Sequence, residues 1–239
     1  MAPMKDGAVV ILDVLGFKGI WRRRDPGDVI RKMHLLGKVG EAIRKNQLMR
    51  LSCKAVRRNV VVLSDTIVVT CHLDSVEGSP PDVVARARAL SVYVACKTAA
   101  TAISLVASSE TGGPDMALRG CVSIGEFDPD GTTIIGEAVD DAAEYEKLAQ
   151  AAIVWFTPGA RTRYESLRNS GAMAVPASTP LLEKPLIVHD YAVPLKDGRS
   201  FLTLAINPFG GPERPRGEAE IIRDRILATF SADALDVQL

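Results

Sequence analysis

Ala8-Val9-Val10-Ile11-Leu12-Asp13-Val14-Leu15-Gly16-Phe17 runs five apolar residues into an acid and then into a glycine. Short, β-branched and bounded by Gly7 and Gly16, residues 8–12 spell a buried strand with Asp13 at its C-terminal end. The pattern returns within an extended segment from Leu51 to Thr70, in Asn59-Val60-Val61-Val62-Leu63-Ser64-Asp65-Thr66-Ile67-Val68-Val69-Thr70, where two extended runs meet at Ser64-Asp65 as a hairpin. A carboxylate beside a buried run is costly unless it is paired, hydrogen-bonded or metal-bound, so Asp13 and Asp65 point to a shared cation site. Asp is equally at home capping a turn or filling a hairpin corner, so spacing alone leaves both readings open.

Outward from these strands, Asp25-Pro26-Gly27-Asp28 starts a helix in which Val29, Ile30, Met33, Leu36, Val39 and Ile43 recur at helical spacing, ending near Asn46. Pro80-Pro81-Asp82 caps a second helix reaching about Val106, followed by a Gly- and Pro-containing loop. Leu118 to Phe127 reads as a strand, Asp128-Pro129-Asp130-Gly131 as a turn, and residues 132–135 as the returning strand of a hairpin. A helix after Gly136 places Ala142, Ala143, Leu148 and Ala151 on its apolar side. Then come a strand at 153–156, a helix at 158–169, a loop at 171–185, strands at 187–193 and 201–206, and a helix at 218–230. This order spells an α+β sandwich, helices covering a mostly antiparallel sheet as in ferredoxin-like folds, in a single domain over 1–239.

Composition narrows the function classes. In 239 residues, 47% are hydrophobic and 24% charged, the profile of a soluble globular protein. With 29 basic and 29 acidic residues the net charge is zero, so the global balance favours neither nucleic acid nor an anionic membrane as partner. The apolar stretches fall short of the about 20 residues that span a bilayer, and the first residues lack a signal-peptide core, so a cytoplasmic protein is expected. Cys53, Cys71, Cys96 and Cys121 are widely spaced, with neither zinc-finger spacing nor a disulfide framework, and read as buried reduced thiols. His34, His72 and His189 are isolated, and none is nominated as catalytic.

Function is therefore sought at the aspartates. Gly16 lets the chain after Asp13 turn sharply and aim backbone N–H groups at a phosphate, a nest that needs no basic side chain. If Asp65 reaches the same cavity, two carboxylates and a backbone carbonyl make an oxygen-rich site for Mg²⁺ or Mn²⁺, with phosphates completing the octahedra of two ions. A haloacid dehalogenase-like phosphotransferase also starts with Asp after a buried strand, but it needs a second Asp where Leu15 stands.

Asp13-Val14-Leu15-Gly16-Phe17, then Ser64-Asp65, then Arg119-Gly120-Cys121-Val122-Ser123-Ile124-Gly125, then Gly136-Glu137-Ala138-Val139-Asp140-Asp141-Ala142-Ala143-Glu144 resembles the ordered motif series of class III nucleotide cyclases. The likeness covers residues 8 to about 160. It implies a homodimer with interfacial sites, in which Asp13 and Asp65 hold two metals, Mn²⁺ or Mg²⁺, and the Val14 carbonyl helps to ligate one. It implies in-line attack of a ribose 3′-hydroxyl, its pKa lowered by one metal, on the α-phosphate of a nucleoside triphosphate, while the other metal carries the pyrophosphate. Gly16, Phe17, Arg58 and Thr133 are the further substrate-binding candidates; an aromatic after a glycine turn also serves as a loop anchor.

Departures from the pattern shape the expected substrate. The Lys that reads a purine, four residues before the second metal Asp, is Val61 here, and the second base-reading position is Thr133. The family's transition-state Asn and Arg align with Asp140 and Glu144, which would repel a triphosphate, leaving Lys147, Arg57, Arg58 and Arg119 as possible replacement cations. With Gly-Glu-Ala-Val-Asp-Asp-Ala-Ala-Glu-Tyr-Glu and no purine Lys, the chain is similar to the pyrimidine cyclases of bacterial anti-phage Pycsar systems. That similarity implies cyclic UMP or cyclic CMP, UTP ahead of CTP as substrate, and a separate effector protein that reads the product. A catalytically silent nucleotide-binding domain and a purine cyclase are the alternatives. The basic run Trp21-Arg22-Arg23-Arg24 reads as a solvated face.

Overall fold

The computed structural model describes residues 4–45, 56–73, 78–108, 116–129, 133–173 and 188–208. Its strands are β1 (Lys5–Val14), β2 (Val56–Leu63), β3 (Thr66–Leu73), β4 (Leu118–Phe127), β5 (Val154–Phe156), β6 (Val188–Pro194) and β7 (Ser200–Ile206). The helices are α1 (Ile20–Arg23), α2 (Pro26–Lys45), α3 (Pro81–Ser108), α4 (Glu137–Tyr145) and α5 (Pro158–Asn169). Among the described residues these seven strands form one sheet in the order β2-β3-β1-β4-β5-β7-β6. The segment β1-α2-β2-β3-α3-β4 is the split βαβ arrangement of the ferredoxin-like folds, and β5, parallel to β4, extends it toward the β6–β7 hairpin.

β1 is apolar on both faces because both are covered. Ala8, Val10, Leu12 and Val14 join the main core with Leu36, Val39 and Ile43 of α2 and Val92, Ala95 and Ala99 of α3. Val9 and Ile11 point the other way, against Val68, Phe127 and the α4 residues Ala138 and Ala142. Alternation along a strand makes this partition obligatory, and it puts Asp13 on the α4 face. Glycines permit close approaches: a Cβ at Gly120 would strike the Ile11 carbonyl, one at Gly7 the Cys71 carbonyl, and one at Gly40 would meet the Val62 side chain. α5 begins where Thr157 accepts from the Ala160 N–H at 3.2 Å with Pro158 following, a capped start.

The sequence expectations for β2, β3, β4 and α5 agree with the structure, whereas others are corrected. β1 is longer at both ends than 8–12, because Lys5 and Asp6 pair with Phe127 and Glu126. The expected strand at 132–135 is only a bridge between Ile135 and Asp128, and Thr132 lies outside the described residues. α4 stops at Tyr145; Leu148, assigned to its apolar side, lies beyond it and is 40% exposed. The expected helix at 218–230, the start of the extended segment at 51–55 with Cys53, and most of the loop at 171–185 lie outside the described residues. Cys71, Cys96 and Cys121 are buried free thiols.

One expectation about membranes is also corrected. Pro81–Ala107 is long and apolar enough to cross a bilayer by length and composition, with mean hydropathy 1.6. Yet 72% of its apolar window is buried inside the protein, so its composition is accounted for as a core helix lying on the sheet.

Candidate functional site

The two aspartates converge. β1 and β3 are antiparallel neighbours with Asp13 opposite Thr66, and the Val14 N–H donates to the Asp65 carbonyl at 3.0 Å, drawing the β2–β3 turn against the end of β1. Ser64 forms that turn at φ 55, the left-handed region. Burial, and next the charge of Asp65, push the Asp13 carboxyl above its ordinary value, while Arg119 pulls it back by hydrogen bond and charge.

Arg119 is Asp13's cross-strand partner on β4 and shares its face. Its Nη2 lies 3.1 Å from Asp13 Oδ2, and both side chains are nearly enclosed, 15% and 19% exposed. Behind the pair stands Glu146, one residue past α4, with Oε2 4.0 Å from Arg119 Nε and its side chain 9% exposed. Among the described residues neither Arg119 Nε nor Glu146 Oε2 has a hydrogen-bond partner. Burial, then the Asp13 charge, raise the Glu146 carboxyl, against the pull of Arg119, Lys147 and Lys196.

Lys196 arrives from the β6–β7 turn. That turn is pinned to the chain after α4 by the Ala149–Leu195 bridge and by N–H donations from Lys196 to Leu148 at 3.0 Å and from Gln150 to Pro194 at 2.9 Å. Burial and then the Arg119 charge lower the Lys196 ammonium, with Glu146 and Asp13 acting oppositely, so Lys196 shares the field of the same cluster. Sequence reasoning nominated neither Glu146 nor Lys196. Glu146 was accessible, since it follows the buried Ala138 and Ala142 at a spacing of four residues.

The loop after Asp13 turns at Gly16, φ 76, and Gly19, φ 75. Arg23 clamps it, donating from Nη2 to the Gly16 carbonyl at 2.6 Å and to the Lys18 carbonyl at 3.0 Å, which gives one member of the basic run a structural task. The Val14 and Leu15 N–H groups donate to Asp65 and Ala117 and so are withdrawn from any phosphate nest. Phe17 packs against the main core and anchors the loop.

Two other candidates lie elsewhere. Arg58 occupies the opposite face of the sheet, beneath α2 and α3, donating to the Ile43 carbonyl at 2.7 Å and to Thr98 Oγ1 at 3.4 Å. It does not meet Asp13, because strand alternation turns every second β2 residue toward those helices. Thr133 stands two residues before Ile135, whose bridge to Asp128 is at the far end of β4. Lys5, opposite Phe127, is eight residues from Asp13 along β1, about 27 Å. Val61, through Val68 and Ile11, shares the Asp13 face one pair along the sheet. Asp140 and Glu144 are exposed on α4, whereas Asp141 faces the sheet and accepts from Ser123 Oγ at 2.6 Å and Thr157 Oγ1 at 2.5 Å.

Among the described residues no group of three or more His, Cys, Asp or Glu side chains is placed to hold a metal. The facing pair of Asp13 and Asp65 nevertheless suits a dication, because two carboxylates whose charges oppose each other are relieved by a cation between them.

No family model matches the chain. No curated protein matches it either. Among solved structures, the catalytic core of a rhodopsin-guanylyl cyclase with converted specificity, in complex with ATPαS, is similar with TM-score 0.51 and 16% identity, covering 87% of this chain and 99% of that one. The adenylyl cyclase CyaB from P. aeruginosa gives 0.45 at 15% identity, covering 86% and 95%. The adenylate/guanylate cyclase/hydrolase from Silicibacter pomeroyi gives 0.45 at 15%, covering 85% and 97%. The fold is that of the class III cyclase catalytic core, an α+β sheet of seven strands with helices.

Proposed function

We propose that this protein is a divalent-metal-dependent nucleotide cyclase that converts a pyrimidine nucleoside triphosphate, UTP ahead of CTP, to the 3′,5′-cyclic monophosphate and pyrophosphate. The observation that carries the reading is the convergence of Asp13 and Asp65 at one end of a cyclase-like sheet. Two divalent ions, Mn²⁺ or Mg²⁺, would be held there with help from the Val14 carbonyl. When bound they supply Lewis acidity, lowering the pKa of the ribose 3′-hydroxyl and neutralising charge on the leaving pyrophosphate.

The chain's own residues do the rest. Arg119 and Lys196 set positive charge beside the carboxylates, where a triphosphate would otherwise meet only acids, since Asp140 and Glu144 add none. The Arg23 clamp fixes the loop that follows Asp13, with Gly16 at its bend. Thr133 lies by the far end of β4, at the opposite end of the sheet from Asp13 and too far to touch a nucleotide held there in the same chain, which supports a homodimer whose second chain supplies the base-reading positions. Val61, apolar where purine-reading members carry Lys, supports a pyrimidine. The resemblance further assigns the product to anti-phage signalling in the cytoplasm, with a separate effector as its reader.

Incubating purified protein with Mn²⁺ and each of the four ribonucleoside triphosphates tests this. Cyclic UMP is expected, and Asp13→Ala or Asp65→Ala should abolish it with the fold intact. Cyclic AMP or cyclic GMP instead would overturn the base assignment. Nucleotide binding with no cyclic product would favour a silent cyclase-like domain, the reading to which the acidic Asp140 and Glu144 lend support.

A further inference from the structure

We propose that Glu146 is a positioning residue that receives the Arg119 guanidinium when Asp13 takes up a cation, so that one arginine serves two carboxylates in turn. The inference rests on the metal-site reading of Asp13 and Asp65. Arg119 reaches Asp13 Oδ2 through Nη2 at 3.1 Å, which leaves its Nε aimed at Glu146 Oε2 across 4.0 Å. That gap is too long for a hydrogen bond, and both atoms are buried without another partner among the described residues. A buried donor and acceptor left apart at this distance are costly, and a shift of the guanidinium by about 1 Å closes them into a charge-assisted bond.

The contact with Asp13 holds the gap open. A carboxylate oxygen drawn to a dication is a weaker acceptor for Arg119, and the cation's charge repels the guanidinium. Both effects push Arg119 toward Glu146, the acceptor on its other side. The other charges in the field are Lys147 and Lys196, and no ion pair joins either to Glu146 among the described residues. Glu146 would thus lower the cost of displacing Arg119 from Asp13.

Mn²⁺ binding without nucleotide tests this independently of turnover. Electron paramagnetic resonance of free Mn²⁺ gives the affinity of wild type, Glu146→Gln, Arg119→Gln and the double variant, with circular dichroism confirming that each is folded. We expect Glu146→Gln to weaken Mn²⁺ binding several-fold, and to have no effect once Arg119 is Gln. An equal loss in both backgrounds would show that Glu146 acts only by through-space charge, and an unchanged affinity in the single variant would show no role at all; either overturns the inference. If wild type binds Mn²⁺ no better than Asp13→Ala does, the metal site itself fails and takes this inference with it.

Discussion

Asp65→Asn should make the metal-free protein more stable and the metal-treated protein less so. Two unit charges about 4 Å apart at an effective dielectric constant near 20 repel by about 4 kcal/mol. Arg119, 3.1 Å from Asp13, cancels much of this, and partial solvent access screens more, leaving about 1 kcal/mol to recover. In a protein of this size that amounts to about 2–4 °C in Tm. The backbone carbonyl of residue 65 keeps its bond from the Val14 N–H, so the turn should persist. Wild type with Mn²⁺ at a hundred times its Kd should gain about 2.7 kcal/mol, roughly 5–11 °C, and the variant should gain little. Differential scanning calorimetry with chelator and with Mn²⁺ reads both effects. A variant that melts no higher than wild type in chelator and keeps the full Mn²⁺ shift would refute the shared-site reasoning.

Three further outcomes are expected. The raised Asp13 carboxyl means that the folded state holds its proton more tightly than the unfolded chain, so the associated stability is present below the ordinary carboxylate range and lost as pH rises through the raised value. Asp13→Asn should accordingly gain stability over wild type near pH 7 in chelator, the gain shrinking as pH falls toward about 4, read by urea melts across pH. Thr157→Val removes both a donor to Asp141 and the cap on Ala160, for a loss of about 2–3 kcal/mol, seen as a lower urea midpoint at unchanged slope. Gly120→Ala drives a Cβ into the Ile11 carbonyl between two central strands and should cost about 3 kcal/mol or more, or yield no folded protein, as circular dichroism would show.

What could be read in the sequence was what local rules control. Period-two alternation and turn residues located β2, β3 and β4 and placed the aspartates at strand ends, because those signals act within a few residues. Which face a charge takes was harder. Arg57 and Arg58 differ by one position, yet β2 turns the second beneath α2, and only the pairing register with β3 reveals it. The ends of β1 were also invisible, since Lys5 and Asp6 carry no strand signal and are extended by β4 opposite them. The apolar Leu148 carries the helical pattern past the end of the helix after Gly136, whereas the four-residue spacing from Ala142 leads to Glu146. Lys196 bears no motif at all; a turn docked on a distant segment places it.

The docking of the β6–β7 turn bears on how far the protein can be cut. A fragment ending near residue 160 would contain every recognisable motif and both aspartates. It would lack β7, whose Ala205 pairs with Trp155 of β5, and it would lack Lys196 beside Arg119 and Glu146. Such a fragment would expose β5 as a raw sheet edge and carry an electrostatic imbalance at its busiest corner. The minimal working unit is therefore larger than the motifs that announce it, and homologues trimmed to those motifs would be poor stand-ins for the whole.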